Sequence, residues 1–169
     1  REQIEQDDVD LDPRTAGELA NFDPKEVASL YSYRGLDNHA YYALSPDNQT
    51  YWNNTGVGNE TRCNHRPMRR LIMDSLHWWA EEMHVDGFRF DLAPILGEKD
   101  KDYNAFDPKN SVLQDIIDDP RLQKLNTRII AEPWSAAGAF VGGFPVASAK
   151  SGTGWGEWNG RFRDWWRSF

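Results

Sequence analysis

The run VDGFRFDL at 85–92 constrains this chain more than any other stretch, because it is short, aromatic and followed by Pro94. That composition predicts a β-strand. Side chains alternate across a strand, so Phe88 and Phe90 share one face while Gly87, Arg89 and Asp91 share the other. The apolar face needs a layer to pack against. The opposite face, with a cation and an anion two residues apart, reads either as a solvent-facing ion pair or as part of a site.

The neighbouring segments supply the layer. Behind Pro67, the residues Met68, Leu71, Ile72, Ser75, Leu76, Trp79, Ala80 and Met83 recur at helical spacing and predict an amphipathic helix that runs straight into the strand. After a polar loop at 96–110, the apolar positions Val112, Leu113, Ile116 and Ile117 predict a shorter helix, ended near Asp118 by the coming Pro120. RIIA at 128–131 is the second strand. The order helix, strand, helix, strand, with a crossover this long, is the parallel βαβ pattern of an α/β fold.

The rest of the chain is less regular. An acidic run at 1–26 reads as a solvated loop. The tyrosine-rich stretch at 30–44 is interrupted by a turn-type cluster at 35–38, and 45–65 is dense in Asn, Asp, Gly and Ser, so no regular element is expected before Pro67. Beyond the second strand come Gly-rich loops around 142–143 and 152–156. Phe162, Trp165, Trp166 and Phe169 then predict a final helix. Two parallel strands cannot close a barrel or complete a sheet. The 169 residues are therefore expected to be a piece of one larger domain.

Composition narrows the partners. A net charge of −8 argues against a nucleic-acid surface and favours a neutral, polar ligand. No window reaches the roughly 18 consecutive apolar residues of a membrane helix. The lone Cys63 excludes an internal disulfide and fits a reducing compartment. The Asn-rich loop at 53–59 lacks the spacing of an EF-hand, so neither metal nor cofactor is expected.

The second strand ends in Glu132-Pro133-Trp134. Asp91 and Glu132 each stand at the carboxyl end of a predicted parallel strand, where α/β folds place their active sites. Neighbouring strands lie about 4.7–4.9 Å apart, and a retaining glycosidase needs two carboxyl groups roughly 5–5.5 Å apart. Arg89, on the face of Asp91, favours the ionised carboxylate that a nucleophile needs. Glu132 lies in sequence among Ile130, Ala131, Pro133 and Trp134, an apolar setting that suits a protonated general acid. On pattern alone, a salt-bridged Asp91 and an unrelated loop carboxylate at Glu132 fit equally well.

DGFRFDLA at 86–93 and IIAEPW at 129–134 resemble two signature regions of the α-amylase superfamily of glycoside hydrolases. YRGLDNHAYY at 33–42, NNTGVGN at 53–59, EMHVDGFRFD, GGFP and EWNGRFRD at 157–164 resemble its isoamylase and glycogen-debranching branch. The resemblance covers 30–169, with 1–29 as a variable acidic loop. One departure is Arg66, which stands between His65 and Pro67.

The resemblance implies α/β architecture as part of a (β/α)8 TIM barrel, with central βα units and long loops. It also implies Asp91 as nucleophile, Glu132 as acid/base and Arg89 as the residue that positions the nucleophile. The substrate implied is an α-1,6 branch point of glycogen, amylopectin or limit dextrin. A transglycosylase or an α-1,4-acting amylase of the same superfamily would use the same chemistry. An inactive glucan-binding or regulatory subunit is a third reading, against which the joint presence of Asp91, Glu132 and Arg89 argues. The family's Asn-His signature is expected before residue 1 and its third carboxylate after residue 169, so the 169-residue piece is predicted to be inactive alone. A cytoplasmic or plastid location is expected, with secretion left open.

Four further residues are candidate sugar contacts. Trp134 either stacks on a glucose ring or shields Glu132, Tyr33 and Trp52 either line a glucan cleft or anchor loops, and His65 either reaches a sugar hydroxyl or caps the following helix.

Overall fold

Pro67 sits in the first turn of its helix, where its missing N–H leaves no hydrogen bond unmade. The computed structural model describes residues 32–46, 50–147 and 154–168; the loop expected at 1–29, and Phe169, lie outside them. In chain order the helices are α1 (Arg34–Tyr41), α2 (Arg66–Glu81), α3 (Val112–Asp118), α4 (Pro120–Lys124) and α5 (Gly160–Arg167). The strands are β1 (Gly87–Phe90), β2 (Glu98–Lys99), β3 (Asp102–Phe106), β4 (Arg128–Ala131), β5 (Trp134–Ser135), β6 (Gly138–Ala139) and β7 (Gly156–Glu157).

The helix and strand predicted around 67–92 are present. His84 takes a left-handed conformation with φ 57° and turns the chain from α2 into β1. β1 pairs with β4 in parallel, Gly87 opposite Arg128 and Phe90 opposite Ala131. The two predicted strands are therefore direct neighbours, joined by a crossover that contains α3 and α4. On the far side of β4 lies β7, also parallel, with Ala131 opposite Glu157. The sequence reading placed only a Gly-rich loop there, because a two-residue strand has no periodicity to read.

Alternation along β4 separates the two faces of this sheet. Ile129 and Ala131 are buried under the helices, while Ile130 is 37% exposed on the other side. Leu76 and Ala80 of α2, four aliphatic residues of α3, Leu122 of α4 and the turn at Ala93–Gly97 build the core, with Phe88 and Phe90 packed against it. Trp155 joins them through its ring contact with Phe90 and its indole N–H bond to the Leu113 carbonyl at 2.9 Å. Trp79 and Met83, though on the predicted stripe, are about half exposed.

Two expectations are corrected and one is extended. Residues 34–41 form helix α1 rather than irregular structure. The turn cluster appears inside it as a kink at Asp37, whose carboxylate accepts the Ala40 N–H at 3.1 Å and carries the helix across the break. The loop at 96–110 folds as the β2–β3 hairpin, because Lys101 adopts a positive φ and Phe106 packs on Phe140 and Phe144. Pro120 ends one helix but also begins α4, since Asp119 accepts the N–H groups of Arg121 and Leu122 at 2.9 Å each. No helix among the described residues is long and apolar enough to cross a membrane.

Candidate active site

The parallel pairing of β1 with β4 brings the ends of both strands, and their carboxylates, to one edge of the sheet. After Phe90 the chain turns at Asp91, and Leu92 adopts the left-handed conformation, φ 44° and ψ 47°. A leucine in this region costs about 1–2 kcal/mol, so the surrounding bonds must hold it there. They do so through Glu132. The Leu92 N–H donates to the Glu132 side chain and the Ala93 N–H to the Glu132 main-chain carbonyl, each at 3.0 Å, while the Glu132 N–H donates to the Phe90 carbonyl.

Arg89 completes the cluster. Its Nη1 lies 2.6 Å from Asp91 Oδ1 and its Nη2 2.9 Å from Glu132 Oε2, so one guanidinium holds both carboxylates. The two acids differ in access. The Asp91 side chain is 72% exposed, whereas that of Glu132 is 13% exposed. The wholly apolar setting expected for Glu132 is not found: its Oε2 receives the Leu92 N–H and Arg89. Flanking residues in a strand point to other faces, so sequence neighbours were a poor guide to what this carboxylate touches.

Trp134 belongs to this cluster as well. Its ring lies 6.2 Å from that of Trp158, whose indole faces the Arg89 guanidinium at 4.4 Å. The other candidates are placed elsewhere. Tyr33 precedes α1 and stacks on Tyr41 at 5.0 Å. His65 stands at the N-terminus of α2, but its side chain makes no cap; Nδ1 pairs with the Ala40 carbonyl at 2.9 Å and ties α1 to α2. Trp52 packs beside Tyr103 with ring centroids 5.8 Å apart. Sequence reasoning missed Trp158, which follows the unrecognised β7, and the Leu92 turn, which no residue-type signal marks.

A second pair of acids lies inside the fold. Glu60 is 1% exposed and Glu98 8%. Glu60 Oε1 and Glu98 Oε2 are buried without a hydrogen-bond partner among the described residues. Asn54 clamps the two acids, its N–H donating to Glu60 at 2.6 Å and its side-chain amide to Glu98 at 2.8 Å. Burial, reinforced by Glu60, pushes the Glu98 carboxyl up to about 9. Burial likewise raises the Cys63 thiol to about 12. Among the described residues no three His, Cys, Asp or Glu side chains gather as a metal ion would require.

No protein-family model matches the chain. An isoamylase of Flavobacterium sp. is 40% identical over 160 residues, covering 88% of this chain and 19% of that protein. The chloroplastic isoamylase SU1 of Zea mays is 39% identical, covering 85% and 20%. A glycogen operon protein GlgX homolog of Haemophilus influenzae is 40% identical, covering 83% and 20%. Among solved structures, a pullulanase of Anoxybacillus sp. LM18-11 complexed with maltotetraose aligns with a TM-score of 0.57 at 27% identity, covering 80% of this chain and 18% of that one. The chain is thus a homologue of glycoside hydrolases of the α-amylase superfamily. Within that class its relatives are the isoamylases and the glycogen operon protein, of whose length it spans about a fifth.

Proposed function

We propose that this chain carries the nucleophile and the acid/base of a retaining glycoside hydrolase that opens α-1,6 branch points in glycogen or a related α-glucan. The observation that carries the reading is the single Arg89 guanidinium bonded to both Asp91 and Glu132 at the ends of adjacent parallel strands. In the reaction, an Asp91 oxygen attacks the anomeric carbon as Glu132 protonates the departing glycosidic oxygen. A covalent glucosyl ester on Asp91 results. Glu132, now a carboxylate, takes a proton from water, and the resulting hydroxide displaces Asp91 with a second inversion and net retention.

The sheet is read as three consecutive strands of a (β/α)8 barrel. All three are parallel, helices cover one face only, and β1 and β7 each pair with one strand among the described residues. The uncovered face, with Arg89 and Ile130, becomes the barrel interior, and the strand ends form its catalytic rim. The chloroplastic isoamylases among the relatives fit the reducing compartment inferred from the lone cysteine.

The test is made in the full-length enzyme. Asp91→Asn is expected to abolish release of reducing ends from a branched α-glucan, and an Asn variant that works at the wild-type rate would overturn the assignment. Debranching and transfer are separated by the products, linear chains in the first case and re-joined chains in the second.

A further inference from the structure

We propose that Trp158 is a positioning residue for the reaction, fixing the plane of the Arg89 guanidinium and through it the relative placement of Asp91 and Glu132. The inference rests on the reading of those two acids as catalytic. Arg89 reaches both from a long side chain with several rotatable bonds, whose rotamer two ion pairs do not fix alone. The indole of Trp158, 4.4 Å from the guanidinium carbon, supplies the face that the fork needs: a ring quadrupole attracts the cation and prefers one orientation of its plane.

The platform itself is anchored. The Trp158 backbone N–H donates to the Ala131 carbonyl at 3.0 Å, and Ala131 immediately precedes Glu132, so the residue that carries the indole is tied to β4 beside the acid. Trp134 lies against the indole, and the Arg163 guanidinium lies 5.3 Å from the Trp134 ring. Arg163, Trp134, Trp158 and Arg89 form a line of ring and cation contacts that ends on the two carboxylates.

A sugar-stacking platform is the competing role, and the two separate in kinetics. Binding that is equal in ground state and transition state changes KM alone, whereas misplacing the reacting groups lowers kcat. In the full-length enzyme acting on a branched α-glucan, Trp158→Leu is expected to lower kcat about tenfold with KM within about twofold, and Trp158→Phe to restore most of the loss. Combining Trp158→Leu with Arg89→Lys is expected to cost little beyond Arg89→Lys alone, since the indole then has no fork to orient. A raised KM with unchanged kcat, equal rates for the Leu and Phe variants, or effects that multiply with Arg89→Lys would each overturn the proposal. Asp91→Asn separates the two levels. If that variant is inactive while the Trp158 and Arg89 effects multiply, only the positioning role falls; if it is fully active, the catalytic reading falls first.

Discussion

The Leu92 backbone N–H donates to Glu132 Oε2 at 3.0 Å, joining the end of β1 to the acid at the end of β4. This bond exists because Leu92 is left-handed, and it leaves Glu132 held by one backbone donor and one guanidinium.

In the proposed reaction Glu132 gives a proton to the leaving group. Glu132→Gln keeps the shape and removes the proton. Its turnover of a branched α-glucan is expected to fall by about 10²–10⁴-fold. The first-turnover release of fluoride from α-maltosyl fluoride, whose leaving group needs no proton, should fall far less. Equal losses on both substrates would remove the general-acid role.

Close approach of β1 to β4 sets the distance between the two acids, and Gly87 permits it. A Cβ built at Gly87 lies 2.6 Å from the Arg128 carbonyl oxygen, a backbone atom that cannot swing aside. Gly87→Ala is therefore expected to destabilise the fold by about 1–3 kcal/mol. It should also lower kcat, because the strand pushed away carries Arg89 and Asp91. Thermal unfolding and turnover of the same variant check both; a variant with wild-type melting temperature would contradict the close approach.

The buried Glu60–Glu98 pair gives a pH dependence of definite sign. The folded Glu98 keeps its proton to about 9, while the unfolded side chain loses it near 4.5. Across that window the folded state binds the extra proton, so stability is full below 4.5 and declines as pH rises toward 9. Glu98→Gln, which keeps the shape and removes the titrating group, is expected to flatten this slope and to raise the melting temperature at pH 8. Melting curves between pH 5 and 9 measure the difference; parallel slopes for variant and wild type would show that the pair does not hold the proton.

Much of this architecture was legible in the chain. The apolar stripe from Met68 to Ala80 and the β-rich runs at 85–92 and 128–131 gave α2, β1 and β4, because each has a period or composition that local sterics enforce. β7 has two residues and derives its existence from pairing with β4, and the β2–β3 hairpin is held by Phe106 packing on Phe140 and Phe144. Neither force is local, so neither was read. The helix at 34–41 was missed for the opposite reason: the turn residues are there, and a side-chain bond from Asp37 carries the helix past them.

At the site, sequence alone determined which residue types stand at the two strand ends and that Arg89 shares a face with Asp91, since alternation along a strand follows from covalent geometry. The resemblance of those runs to a glycosidase family gave the three residues their roles. Only the tertiary structure decided that Arg89 also grips Glu132, that Leu92 turns left-handed to face it, and that Trp158 lies over the guanidinium. Each of these joins residues 40 or more positions apart, where register and packing, not local preference, choose the partner.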